Sequence, residues 1–443
     1  MDYIERNIEN ALNEWKMSED RHPLLLRGAR QVGKTTAIRH FGKSFQHFVE
    51  VDLNERKDLH TLFSGSLTPQ EVCRQISYVV NKPIIPGKTL LFLDEIQACP
   101  EAINKLRYFY EQYPELHLLA AGSLLEFVLS ELPSFGVGRV RSLFMYPLSF
   151  EEFLKAHGEV MLIEAYRNAS PEKPLSDIVH GKLVDRLRQF MLVGGMPKAV
   201  SEFVNKQDVR DCQHTLTDLV VSYQDDFKKY RKRIPEERVS TVWAAVARQQ
   251  GGKFVYSNVN DSLSLSQVKL TLDLLTKAGL VYPVIHTSAN GIPIGATTNE
   301  RYQRMALFDT GVLLRLLGLN LAELYMQRNE DMVNKGAMAE VFVASELVKA
   351  SSCYEPPKLY CWHRERKDSQ AEVDFVIQKG MEIIPVEVKA GTRGSMQSLR
   401  IFMSEKHPPY GVRTSQENFA QYENIKVYPL YAIANLLQSA KHS

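Results

Sequence analysis

No long apolar run occurs in this sequence. None of its 443 residues belongs to a stretch approaching the ~18 that a membrane-crossing helix needs, so no membrane span is expected. The amino end has no apolar leader-like core either. Residues 1–18 are acidic and amphipathic, with Ile4, Ile8, Leu12 and Trp15 at helical spacing. Cysteine is scarce: Cys73, Cys99, Cys212, Cys353 and Cys361 are scattered and odd in number. That pattern argues against a disulfide framework and for a reducing, cytoplasmic setting. Paired C-x-x-C is absent, so the nearness of Cys353, Cys361 and His363 gives little support to a zinc site. An excess of one charge sign is lacking too. With 54 Lys and Arg against 52 Asp and Glu, any affinity for nucleic acid has to come from local patches. What remains is ordinary globular usage, 44% hydrophobic and 24% charged, in a chain long enough for several domains.

Against this plain background one motif stands out. Gly28-Ala29-Arg30-Gln31-Val32-Gly33-Lys34-Thr35 is a complete G-x-x-x-x-G-K-[ST] phosphate loop, followed by Thr36. It lies between a strand-like Leu24-Leu25-Leu26 and a segment, 36–41, that can be helical. The motif works only in that strand–loop–helix context. Its glycines let successive N–H groups face a polyphosphate, and the helix start adds its positive end. Residues 28–36 are therefore the candidate ATP-binding segment, with Lys34 reaching the β- and γ-phosphates and Thr35 a ligand for Mg²⁺. A second run, Thr89-Leu90-Leu91-Phe92-Leu93-Asp94-Glu95, is apolar until its two carboxylates. It reads as a strand buried on both faces of a parallel sheet. Asp94 is then the second Mg²⁺ ligand, and Glu95 the base that orients and deprotonates the attacking water.

Residues 47–52 and 116–123 read as further strands separated by helical stretches, which makes the chain α/β with a parallel sheet. Ser123 falls at a strand's carboxyl end, a natural place to touch the γ-phosphate or the water. Here the chain resembles the AAA+ ATPases, in particular the bacterial and archaeal branch close to the signalling STAND ATPases. The resemblance rests on the phosphate loop, on Leu93-Asp94-Glu95-Ile96-Gln97, on Ala121-Gly122-Ser123, and on Gly138-Arg139 followed by Pro147-Leu148-Ser149-Phe150-Glu151-Glu152-Phe153. It implies that Ser123 is a sensor-type polar residue. It also makes Arg139 a candidate γ-phosphate contact, within one subunit or across an interface; an ordinary surface role stays open for Arg139 and Arg141.

Beyond this core, residues 150–235 look mostly helical, which fits the helical lid that follows the core in AAA+ proteins. The stretch ends in the most basic segment, Phe227-Lys228-Lys229-Tyr230-Arg231-Lys232-Arg233. These cations could contact a phosphate backbone, cap a solvated helix end, or clamp two domains together. Residues 239–250, 255–262 and a helix capped by Ser264 and Gln267 precede a strand over 280–287, a hairpin turn at Ser288-Ala289-Asn290-Gly291 and a return strand. That order is a winged helix. Its third helix carries only Lys269 and Lys277 among its charges for DNA, so packing or protein contact is equally open.

The last third holds a second constellation. Ala371-Glu372-Val373-Asp374-Phe375-Val376-Ile377 alternates, and Ile383-Ile384-Pro385-Val386-Glu387-Val388-Lys389 puts Glu387 and Lys389 on one face. Upstream, Glu340 shares a helical stripe with Val343, Ala344 and Leu347, where a carboxylate needs a partner, a metal or a route to water. Asp374, Glu387 and Glu340 suit Mg²⁺ or Mn²⁺, and Lys389 could act on a water or on developing phosphate charge. Asp…Glu-x-Lys after a Glu-bearing helix resembles the PD-(D/E)xK restriction-endonuclease-like nucleases, although Val373 replaces the name-giving proline. The span from about 215 to 391 also looks like the uncharacterised domain often found after this ATPase type. The expected order is thus a P-loop AAA+ core over 1–145, a helical lid over 146–235, a winged-helix segment over 236–305 and a restriction-endonuclease-like αβ domain over 306–443. The leading function is Mg²⁺-dependent ATP hydrolysis coupled to metal-dependent binding or cleavage of nucleic acid. The alternative is an ATP-switched regulatory protein whose nuclease-like domain is idle. ATP and DNA are the candidate partners, with self-association a third.

Overall fold

The buried apolar runs become strands, and their pairing divides the protein in two. The computed structural model describes residues 3–122, 125–131, 138–227, 234–326, 335–365 and 371–437. Unit 1 comprises residues 1–146 with 352–356, and unit 2 residues 147–351 with 357–443.

Unit 1 is built on β1 (Leu24–Arg27), β2 (His47–Asp52), β3 (Thr89–Asp94), β4 (His117–Ala121) and β5 (Arg141–Phe144). They lie in the order β2-β3-β4-β1-β5, and every pairing is parallel. β3 and β4 are buried along their whole length, as uninterrupted apolar strands between two helical layers must be. One layer packs Val72, Ile76, Ile103 and Leu106 from helices Pro69–Val80 and Pro100–Gln112 against Leu91, Leu93 and Leu118. The first of these helices starts at a Thr68–Glu71 capping box with Pro69 in its first turn. Only β4 separates β1 from β3, so the segments leaving the carboxyl ends of β1 and β3 emerge close together. All five cysteines are free.

Unit 2 opens with the helices Phe150–Ala156, Val160–Arg167, Asp177–Val193, Pro197–Lys206 and Val209–Phe227. Helices Thr310–Leu316 and Leu321–Met326 pack back onto them. Asp309 accepts from the Gly195 N–H at 2.6 Å, and Gln213 accepts from the Leu321 N–H at 2.7 Å. Residues 309–326 therefore belong with the helical layer, and the boundary expected at 305/306 falls inside a strand. That strand is β7 (Thr298–Leu307), which pairs antiparallel with β6 (Val281–Thr287). The same sheet continues through β8 (Leu359–His363) and β9 (Glu372–Val373), in the order β7-β6-β8-β9. A second sheet holds β10 (Phe375–Lys379), β11 (Glu382–Val388), β12 (Gly411–Ser415), β13 (Ala420–Tyr422) and β14 (Ile425–Pro429), ordered β10-β11-β12-β14-β13.

Three local expectations change. Between helices Glu236–Arg248 and Leu265–Lys277 only a single 3₁₀ turn, Tyr256–Asn258, stands where a middle helix was expected. The β6–β7 connection is longer than a four-residue turn, because the chain makes a further 3₁₀ segment, Ile294–Thr297, before returning. The alternating run from Ala371 to Ile377 is two strands, divided at Asp374: β9 joins the first sheet and β10 the second. The basic segment 228–233 and Ser123 lie outside the described residues. Among the described residues no helix is long and apolar enough to cross a membrane.

Candidate nucleotide site and C-terminal carboxylate cluster

The phosphate loop leaves β1 with Gly28 at φ +140°, where a Cβ would lie 2.0 Å from the Met145 carbonyl oxygen. Only glycine fits there. Gly33, at φ +97°, delivers the chain into the helix Lys34–Gly42. Lys34 is buried, and its ammonium donates to the Gly28 and Ala29 carbonyls, each at 2.8 Å. Burial pushes its pKa down to about 8, against the opposing pull of Glu95 and Asp94. Thr35 Oγ1 donates to Asp94 Oδ2 at 2.9 Å, so the two expected Mg²⁺ ligands are already neighbours. Burial also pushes the Asp94 carboxyl above its usual range, while the Thr35 hydroxyl and the Glu95 N–H favour its charge. Paired hydroxyl and carboxylate oxygens are the hard donors that suit Mg²⁺.

Glu95 follows directly, held in the left-handed region at φ +47°, an uncommon conformation for a non-glycine residue. Its carboxylate accepts from the Gln97 amide. Gln97 in turn lies over Gly122 at the end of β4, where a Cβ would sit 1.9 Å from the Gln97 Oε1. Residues from the ends of β1, β3 and β4 thus converge. Two features of this region went unread in the sequence. Arg6, 6% exposed, donates to the Val32 carbonyl at 2.8 Å and the Tyr146 carbonyl at 2.7 Å, bracing the loop from outside. Arg27, closing β1, donates through Nε to Glu126 at 2.5 Å. Neither contact leaves a local pattern, since each joins residues far apart in the chain.

Arg139 lies elsewhere. Arg141 pairs with Leu24, the first residue of β1, so Arg139 precedes β5 at the amino edge of the sheet. The phosphate loop leaves the opposite edge. Arg139 is paired with Glu111, both partly exposed, and does not join the Lys34 site within its own unit.

In unit 2 the expected residues do converge, around a cation the sequence did not single out. Arg304 projects from β7 and is 5% exposed. Its guanidinium is paired with Glu340, lies 3.2 Å from Glu372 Oε1, and donates to Asp374 Oδ1 at 3.1 Å. Burial opposes its charge, but the Asp374 and Glu372 carboxylates outweigh that and push its pKa up. The other oxygen of Asp374 accepts from the Val388 N–H at 2.7 Å, a side chain standing in for a ladder partner where β9 gives way to β10. Lys389 donates to Glu387 Oε1 at 2.6 Å. Burial and the nearby Asp374 charge push the Glu387 carboxyl up to about 7, and its Oε2 is buried without a hydrogen-bond partner.

The oxygen donors at this cluster are chemically right for Mg²⁺ or Mn²⁺. Their charge, however, is already engaged: Arg304 serves Glu340, Glu372 and Asp374, and Lys389 serves Glu387. The guanidinium fills the place from which these three acids would share an ion, and it would have to leave before a divalent ion could take that place. The residues as arranged do not fit a divalent ion. His363, for its part, neighbours His286 and Glu365, with one ligand atom of each within 4.8 Å of the others. The His286 Nδ1 accepts the His363 N–H at 3.2 Å, so a neutral His286 carries its proton on Nε2, facing Glu365 at 3.2 Å. That is a hydrogen-bonded trio, with Nε2 not free to ligate.

A family model described as AAA domain matches residues 20–154. Two described as domains of unknown function, DUF8612 and DUF4143, match residues 184–323 and 335–433. The first of these spans β7 and the helix Thr310–Leu316 and ends within the helix Leu321–Met326. Uncharacterised proteins of Mycobacterium tuberculosis and Mycobacterium bovis are each 25% identical over 374 residues, covering 83% of this chain and 70% of theirs. Among solved structures, the Walker-type ATPase of Pyrococcus abyssi aligns with TM-score 0.45 and 15% identity, over 71% of this chain and 96% of that one. The Aeropyrum pernix ORC1 protein in complex with DNA aligns with TM-score 0.30 and 14% identity, over 71% of this chain and 93% of that one. Unit 1 contains an AAA-type P-loop ATPase domain.

Proposed function

We propose that the chain hydrolyses ATP in unit 1 and uses the nucleotide cycle to control what unit 2 grips. The observation that carries the first part is the placement of Lys34 and Thr35 at the start of a helix beside Asp94 at the end of β3. Lys34 exchanges its two carbonyl partners for phosphate oxygens, and the incoming anion raises its pKa again. Mg²⁺, when held by Thr35 and Asp94, neutralises charge on the phosphates. Glu95, directly after β3, orients the water and takes its proton; Ser123 is the further polar contact expected from the sequence. Arg139, at the amino edge of the sheet, would act across an interface between copies of the chain. The kinship with the signalling STAND branch belongs to this proposal, through Gly138-Arg139 and the segment around Phe150.

The test is Glu95→Gln. It should bind ATP with near-normal affinity yet turn over about 10²–10⁴-fold more slowly, because the metal and phosphate contacts survive and the base is lost. Wild-type turnover would remove Glu95 from the role.

For unit 2 the engagement of Asp374 and Glu340 by Arg304 favours a binding role over the nuclease reading. Lys277 is paired with Asp273 at 2.8 Å, and Leu265 and Leu270 are exposed on the same helix. Both facts suit protein contact better than a DNA groove. Incubating the protein with single-stranded, duplex and branched DNA, with Mg²⁺ or Mn²⁺ and with or without ATP, separates the readings: cleavage lost in Asp374→Ala restores the nuclease.

A further inference from the structure

The C-terminal cluster has the composition of a cation site and already contains its cation. Glu340 comes from the helix Lys335–Ala350, Glu372 from β9, and Asp374 from the break between two sheets. All three meet the buried guanidinium of Arg304, which arrives from β7 on a separate hairpin. Glu387, with one oxygen on Lys389 and the other unpartnered, borders the same group. An arginine cannot give up its charge at ordinary pH, so a cation holds this place permanently.

We propose that Arg304 is a resident cation standing in for a divalent ion, and that it closes a latent metal site formed by Glu340, Asp374 and Glu387. Three consequences follow from the bonding. Wild-type protein should bind no divalent ion at the cluster. The three acids should remain ion ligands in their own right, because their placement is fixed by the helix, the strand break and β11, and not by Arg304 alone. Removing the guanidinium without replacing its charge should open the site. The inference rests on unit 2 and is independent of nucleotide hydrolysis in unit 1.

The 443-residue chain without nucleotide is titrated with Mn²⁺ alone, reading free ion by electron paramagnetic resonance. Wild type and Asp374→Asn should give the same curve. Arg304→Met, which keeps most of the side chain's volume, should gain one site at least 10-fold tighter than anything in wild type. Arg304→Met combined with Asp374→Asn should lose it, and Arg304→Lys, which keeps the charge, should not gain it. Thermal melts supply a second readout: Mn²⁺ should raise the melting temperature of Arg304→Met by several degrees and leave wild type unmoved. A wild-type site that Asp374→Asn abolishes would overturn the proposal. So would a folded Arg304→Met that gains no site, or an unfolded one that Mn²⁺ fails to restore, since the acids would then not accept the ion in place of the guanidinium.

Discussion

Lys34 in unit 1 and Arg304 in unit 2 are both buried cations close to carboxylates, yet they are bonded in opposite ways. Lys34 donates to two neutral carbonyls, and its acidic neighbours Glu95 and Asp94 act only through space. Its charge is poorly compensated, which is why burial brings its pKa down to about 8. Arg304 is surrounded by carboxylates, and its charge is reinforced. A cation held by neutral acceptors remains available to an anionic ligand, because exchanging carbonyls for phosphate gains Coulomb energy. One held by three acids gains nothing from a further anion and already fills the place another cation would take. The two sites share residue types and differ in readiness.

The comparison predicts that Lys34→Ala has the largest effect. ATP binding should fall by at least about 10²-fold and hydrolysis with it, as measured by nucleotide titration and phosphate release. Retained binding would mean that the loop amides alone hold the phosphates. Arg304→Met should be the larger lesion for folding: leaving Glu340, Glu372 and Asp374 without their cation should cost roughly 3–5 kcal/mol in denaturant unfolding without metal. A cost under about 1 kcal/mol would show that the acids reach water and that the pairing is weak.

Arg6→Met tests whether readiness in unit 1 depends on bracing. The Val32 and Tyr146 carbonyls lose their donor, so the loop should loosen and KM for ATP rise about 10-fold while kcat changes little, corresponding to roughly 1–1.5 kcal/mol. An equal fall in kcat would place Arg6 in the chemistry instead. The smallest effect concerns pH. Glu387 is pushed up to about 7 in the folded protein, above the unfolded carboxyl at about 4.3. The folded state therefore binds more protons between those values. Its stabilising contribution is complete below about pH 4.3 and is lost as pH rises through 7. Glu387→Gln, which stays neutral, should gain stability relative to wild type between pH 5 and pH 8, measured as the difference in melting temperature at each pH. A difference independent of pH would mean that Glu387 is ionised throughout.

Much of the fold was legible because it is written locally. The apolar run ending at Asp94 forms β3, buried throughout, and the Ser264–Gln267 spacing closes a capping box on the helix Leu265–Lys277. Gly28 and Gly33 mark the turns of the phosphate loop, where the backbone takes positive φ values that glycine adopts without strain. Thr35 and Asp94 were named from their motifs and lie 2.9 Å apart. The division of the strand at Asp374 was not legible, because alternation continues across it and only pairing with β8 on one side and β11 on the other splits the run.

By itself, then, the sequence determined most of the strands and helices, and which side chains cluster at the end of β1 and β3. Hydrogen-bond geometry and burial periodicity act over a few residues, so their signature is local. Only the tertiary structure decided which charges meet. Arg304 is one basic residue in a strand, indistinguishable in its neighbourhood from Arg301, until β7 carries it against Glu340 and Asp374. The same holds for Arg6 against Val32 and for Arg139 at the far edge of the sheet. Coulomb interactions depend on distance in space, and chain position does not report it.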